Sequence, residues 1–463
     1  MRGNVRSTLQ SPSEEYQPLA LFEQRCRTIY RLTCKHGTEH ALRLEDERAT
    51  PESFRRACHI RFAEAQILIL EELIQVQDSK KELNAKLKSA RKGRDKLAST
   101  EVKQQIGLEN LKEHIIRKLA DSIAWHLIGG QNYIARRLCL RESSRPTLKA
   151  SNLASVLNFV NEYNGSNPLG FALISDITSF VQLGDVLLIG GNGLQIIEVK
   201  EGAKNHESMS FIAENLLTEA EDEQIRKALD DHPLNEQIRR ILRQHTKMTQ
   251  ATTLLNTGGG IDPATGERVQ IPDMYHTEEH YFDELQNLIT QLGPKKDWAL
   301  TVLEGGLYIG AYKGVWRRLG PSLLRRTAYE EINDTYPVTS LREGLAQALV
   351  EPIFVKPLSE DQIFDITFGR VAVFILLRLD QMLSLYSGTP ARAEFLSVKQ
   401  SRKQQEKCRE HSLFTHEGQC VRVVYPTGTS FLMGDGVRTR VVFDTLTPQC
   451  VVAMSASDST SAV

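Results

Sequence analysis

The sequence predicts a mixed α/β protein that opens on a long helical hairpin. Three observations predict it. Apolar residues recur at an interval of seven through Phe62, Ile69, Val76, Leu83, Ala90 and Leu97, with no proline between Pro51 and Leu97; this is the spacing of an amphipathic, coiled-coil-like helix. Between 171 and 200 that period is lost, and short β-branched runs take over: FALISDITSFV, DVLLIG and LQIIEVK. Such runs read as strands. From Asn235 helical spacing returns and holds to Asn256, ahead of three glycines at 258–260.

Composition narrows the function classes. The 463 residues hold 57 Lys+Arg against 58 Asp+Glu, so any contact with nucleic acid must come from local patches. No apolar run approaches the roughly 20 residues of a membrane span; Val371 to Leu377 is closed by Arg378 and Asp380. The first residues lack the apolar region of a secretory signal. Seven scattered cysteines form no CxxC pair, which argues against a zinc ribbon or a disulfide framework and for a reducing, cytoplasmic setting.

The elements follow in order. Residues 1–50 are expected to be an N-terminal arm and 51–103 a helical hairpin, with Ser99-Thr100-Glu101 as the cap that restarts the second helix. That helix should stop near Ile128, before Gly129-Gly130. The basic run Lys80, Lys81, Lys86, Lys88, Arg91, Lys92, Arg94 and Lys96 marks the tip. It offers a surface to nucleic acid, a partner protein or a second copy of the chain, or is simply solvated. A helix at 151–163 and a loop at 164–170 lead into the strands, and residues 104–260 form the core region. Residues 261–390 read as an α+β accessory region, with two strands in 298–314 and a buried helix over 367–386. Residues 391–463 read as a small β-rich region with a disordered tail.

The chemistry concentrates in GDVLLIGGNGLQIIEVKEG, residues 184–202. Two apolar strands flank a Gly-Gly-Asn-Gly turn, a tight-hairpin signal. A two-residue turn at Gly191-Asn192 puts Asp185 opposite Glu198; a turn at Asn192-Gly193 puts it opposite Lys200. Side chains alternate along a strand, so in either register Asp185, Glu198 and Lys200 share a face. Two neighbouring carboxylates repel unless a cation lies between them. Mg²⁺ or Mn²⁺, held by a few oxygens, meets that need. With a lysine alongside, the set suits metal-assisted phosphodiester hydrolysis.

Asp185 followed thirteen residues later by Glu198-Val199-Lys200 resembles the core of the PD-(D/E)XK nuclease superfamily. The resemblance covers about residues 104–260 and implies a restriction-endonuclease-like mixed sheet flanked by helices. It implies that Asp185, Glu198 and the Val199 carbonyl bind the metal and that Lys200 is the catalytic lysine. Gly184 stands where the name-giving pattern has proline. Glu109 and Glu113 are candidates for the helix-borne glutamate of some members. The helix after the third strand often carries phosphate-binding residues in that family; here Arg239, Arg243, Gln244 and Lys247 lie on or beside one stripe of the 235–256 helix. The implied protein is a nuclease acting on DNA or RNA, by family analogy in bacterial defence or repair.

Two readings from other classes stand beside it. One is an inactive nuclease fold that serves binding or assembly through the hairpin. The other is a zinc peptidase, since His276, Glu279 and His280 match H-x-x-E-H. No phosphate-loop GxxxxGK[ST] signature occurs.

Overall fold

A computed structural model describes residues 19–35, 50–140, 147–150, 152–191, 193–201, 203–215, 233–263, 266–270, 277–328, 337–408, 413–434 and 436–456. The chain divides into two compact units, Thr28–Ile271 and Met1–Arg27 with Pro272–Val463. Helix α1 (Ala20–Tyr30) occupies part of the segment expected to be an arm.

In the unit Thr28–Ile271, α2 (Pro51–Lys92) and α3 (Lys96–Leu127) pack against each other. The heptad row does what its spacing requires as far as Leu83: Phe62, Ile69, Val76 and Leu83 are buried, with Leu73 and Leu87 beside them. On α3, Ile115, Ile116, Leu119 and Ile123 are fully buried as well. Each such side chain contributes roughly 1.5–3 kcal/mol on burial. The row fails at Leu97, which is 73 % exposed. The helix has already ended at Gly93, and Arg94 reverses the chain at φ 56°. The restart is earlier than the expected cap at Ser99-Thr100. Asp95 caps α3, accepting from Ala98 N at 3.0 Å.

Short α4 (Asn132–Leu138) and α5 (Leu153–Ser166) precede a three-stranded sheet: β1 (Phe171–Ile174), β2 (Val186–Gly190) and β3 (Gly193–Ile197). The order is β1-β2-β3 and both pairings are antiparallel, so the sheet expected to be mixed is antiparallel throughout among the described residues. The FALISDITSFV segment is strand only to Ile174, and Ser175–Ile177 turn it away as a 3-10 helix. Then come α6 (Ala203–Asn215), α7 (Asn235–Thr257) and the ribbon β4 (Gly259–Ile261) with β5 (Arg268–Gln270). Helix α7 ends as its glycines predict, on Gly258 at φ 73°.

Both edges of the three-stranded sheet are closed by side-chain amides. Along β1, Gln66 Oε1 accepts from Ile174 N (2.7 Å), and Asn164 pairs with both backbone groups of Ala172 (2.7 and 3.1 Å). Along β3, Asn256 does the same for Leu194 (3.3 and 3.0 Å). Strand edges left open would template pairing with another chain.

The other unit holds α8 (Phe282–Thr290), β6 (Trp298–Leu303), β7 (Leu307–Tyr312), α9 (Trp316–Ala328), β8 (Val338–Ser340), α10 (Glu360–Thr367) and β9 (Ala372–Leu377). Its sheet runs β6-β7-β9-β8, all antiparallel. Residues 367–386, expected as one buried helix, are instead β9 followed by α11 (Leu379–Ser384). Val373, Ile375, Leu376 and Leu377 are buried in an interior strand, and a continuously apolar run is what such a strand shares with a buried helix. Strands β10 (Arg392–Phe395), β11 (Thr415–His416), β12 (Gln419–Val424) and β13 (Ser430–Leu432) form a second small sheet, with α12 (Val398–Lys407) between the first two. The β-rich expectation ends there: α13 (Gly436–Val442) and α14 (Pro448–Ala456) are helices. The disordered-tail expectation covers residues 455–463: Ser455 and Ala456 instead close α14, with Ala456 buried, and 457–463 lie outside the described residues. Among the described residues no helix is long and apolar enough to cross a membrane.

Candidate active site

Asp185 is placed by its two flanks. On one side the loop after β1 is anchored to α3: Arg117 Nη1 donates to the carbonyls of Asp176 (2.7 Å) and Thr178 (3.1 Å), and Asp121 accepts from Ser179 N (2.6 Å). Asp121 also pairs with Lys118 at 3.0 Å, both fully buried. On the other side Asp185 N donates to Ile197 O at 2.8 Å. Between them Gly184 stands at φ +66°, and a Cβ there would lie 2.6 Å from Ile196 Cγ2 and 2.7 Å from Ile197 O. Proline, locked near φ −65°, cannot take this conformation. The departure from the superfamily pattern at Gly184 is therefore built into the way the loop enters β2.

The hairpin takes the first of the two possible registers. Val186 pairs with Ile197 and Gly190 with Gly193. The ladder ends at Val186 and Ile197: Asp185 N bonds Ile197 O, one residue short of that register, and Glu198–Lys200 leave β3 beside Asp185. Asp185 Oδ2 accepts from Val199 N (2.7 Å) and from Asn152 Nδ2 (3.2 Å). Lys200 Nζ donates to Glu198 Oε1 (2.6 Å) and to Gln244 Oε1 (2.9 Å) on α7. The side chains of Glu198 and Lys200 are only 18 % and 15 % exposed, so this is not an ordinary surface ion pair.

Burial pushes the Glu198 carboxyl above its usual range. The Asp185 charge adds to that, while Lys200 and, more distantly, Arg240 oppose it without cancelling it. Two carboxylates and the Val199 carbonyl, all oxygen donors, are the groups that would hold a cation. Such a set fits Mg²⁺ or Mn²⁺, which accept few protein ligands and retain water. Among the described residues no three His, Cys, Asp or Glu side chains gather as a metal cluster, so a zinc- or calcium-type cage is not present there.

The other expected residues fall differently. Glu113 is committed elsewhere, accepting from Lys80 Nζ (2.7 Å) and Arg117 Nε (3.0 Å). Burial raises its pKa, but these cations together outweigh that and hold it below the usual range. Glu109 pairs with Lys112 at 2.7 Å. Of the α7 residues, only Gln244 reaches the lysine. Arg239, Arg243 and Lys247 are exposed along the helix, Arg239 donating to Asn235 Oδ1 (2.6 Å). His276 lies outside the described residues. Glu279 and His280 precede α8 rather than lying on it. His280 Nδ1 meets the Asp444 carbonyl (3.0 Å), and its ring stacks on Phe282 with centroids 4.6 Å apart. Without a helix, H-x-x-E-H loses the geometry that places both histidines on one metal.

Asn152 was not among the residues the sequence pointed to. Besides Asp185 it donates to the Val199 carbonyl. An asparagine just ahead of a helix reads as a cap, and only the fold shows that this one turns to the strand end instead. Comparison with family models, curated proteins and solved structures returned no match for this chain.

Proposed function

We propose that this protein is a Mg²⁺- or Mn²⁺-dependent nuclease that hydrolyses phosphodiester bonds in DNA, or in RNA, on a restriction-endonuclease-like core. The observation that carries the reading is the meeting of Asp185, Glu198 and Lys200 at the open end of one hairpin, with Gln244 reaching in from α7. A helix before the sheet and one after it agree with that core; the antiparallel three-stranded sheet is a smaller version than the resemblance implies.

Asp185, Glu198 and the Val199 carbonyl would hold the cation, which when bound would supply Lewis acidity and activate a water. Lys200 brings the positive charge that stabilises a pentacovalent phosphate. Gln244 Oε1 accepts a hydrogen bond from its ammonium and so fixes where it points. The exposed bases of α7 meet the nucleic-acid backbone beside the site.

The test is incubation of purified protein with single- and double-stranded DNA and RNA under Mg²⁺, Mn²⁺ or EDTA. Cleavage that needs the cation and vanishes in Glu198→Ala is expected. Full cleavage by Glu198→Ala on a substrate the wild type cuts removes the site. If no substrate is cut while a nucleic acid is still bound, the inactive binding module takes its place.

A further inference from the structure

We propose that Asn152 occupies the cation position of this site in the metal-free protein, and that its side chain must withdraw for Mg²⁺ or Mn²⁺ to bind. The inference rests on the cation site proposed above. Asn152 Nδ2 donates to both Asp185 Oδ2 and the Val199 carbonyl, two of the three oxygens assigned to the metal. Mg²⁺ sits about 2.0–2.1 Å from its oxygen ligands. A cation touching both oxygens would need the space that the amide nitrogen now fills.

The backbone carries an independent sign. Asn152 stands at the N-cap of α5, where an asparagine side chain ordinarily accepts from its own helix, yet it makes no capping hydrogen bond. The side chain is given to the strand end. Its NH₂ group bridges two oxygens, of which Asp185 Oδ2 also accepts from Val199 N (2.7 Å), and it does so without a charge. Holding the site closed makes cation binding a displacement. The affinity lost is that of at least one hydrogen bond to a carboxylate, on the order of 10- to 100-fold.

Titration of the full-length protein with Mn²⁺, followed by the electron paramagnetic resonance of free Mn²⁺, compares the wild type with Asn152→Ala. Tighter binding by Asn152→Ala, on the order of 10- to 100-fold, is expected. Equal or weaker binding by the variant overturns the displacement while leaving the cation site standing. Absence of binding by both proteins overturns the cation site itself. Should Asn152→Ala fail to fold, the wild type labelled with ¹⁵N-asparagine answers the same question. On saturation with Mg²⁺ the Asn152 side-chain NH₂ signals should move to the position of a free amide. Signals that stay unmoved at saturation overturn the proposal.

Discussion

Two hairpins of this chain look alike in sequence and do different work. Both join antiparallel strands through a glycine-rich turn, and both carry acids. In β6–β7, Leu303 pairs with Leu307, and the acid Glu304 lies in the turn itself at φ 47°. Its carboxylate accepts from Gln449 N, at the first turn of α14, at 2.7 Å. In β2–β3 the turn carries no acid, and Asp185 and Glu198 sit at the far, open end. Burial raises the pKa of both Glu304 and Glu198, and each has a carboxylate near it, Glu279 and Asp185 respectively, but only Glu198 is hydrogen-bonded to an ammonium. An acid in a turn meets a fixed backbone donor and becomes structure. Acids at the open end of a hairpin lie past its last pair, and their mutual repulsion leaves a need for positive charge.

The sharpest way to break this contrast is catalytic. Asp185→Ala and Lys200→Ala should lower metal-dependent cleavage by about 10²- to 10³-fold or more, with circular dichroism unchanged. Glu304→Ala should leave cleavage intact and cost about 1 kcal/mol for the lost helix-terminus bond. Equal losses of activity at both hairpins would erase the distinction.

The glycines offer a second comparison. Gly184 and Gly305 share a left-handed conformation, at φ +66° and +67°, but only Gly184 is crowded. Gly305→Ala should cost about 1–2 kcal/mol for the conformation alone. Gly184→Ala adds an overlap with Ile197 and should cost about 2–4 kcal/mol, read as a lower midpoint in urea.

The helices behind the two sheets give a third. Helix α7 packs against β3 and exposes Arg239, Arg243 and Lys247; α9 packs against β7 and exposes Arg318 and Arg326. With catalytically dead protein and duplex DNA, the triple alanine variant on α7 should flatten the salt dependence of binding by about 2 to 3 in slope, at about 0.9 per phosphate contact. Alanines at Arg318 and Arg326 should leave it unchanged. An unchanged slope for the α7 variant would show that this helix does not hold the backbone.

The smallest effect is on stability against pH. The Glu198 carboxyl has a folded pKa above its unfolded value, so the ionised form destabilises the fold. That cost is full above the folded pKa, fades as pH falls through it, and is gone below the unfolded value. Glu198→Gln should therefore melt above the wild type at pH 8 and coincide with it near pH 3. Saturating Mg²⁺ should stabilise the wild type at pH 8 and not the variant.

Much of this was legible without a fold because it depends on local spacing. Seven-residue periodicity marked α2, and three glycines marked the end of α7. The two-residue alternation of strands predicts Asp185, Glu198 and Lys200 on one face; all three lie just past the ends of β2 and β3. What local spacing cannot carry is the environment. Val371 to Leu377 is equally apolar as helix or strand, and only pairing of β9 with β7 and β8 decided it. By spacing alone Glu113 is a candidate site acid or an ordinary surface acid, and only packing places Lys80 and Arg117 on it.

The sequence by itself determined which residues alternate, where helices must stop, and that two acids and a lysine flank one hairpin. These are consequences of backbone geometry within a few residues. Tertiary structure alone decided the partners: Gln244 on Lys200, Asn152 between Asp185 and Val199, and amide side chains along both sheet edges. Each of these bonds joins residues 33 or more positions apart or crosses from a helix to a strand. Hydrogen bonds act over about 3 Å, and only packing brings such residues within that distance.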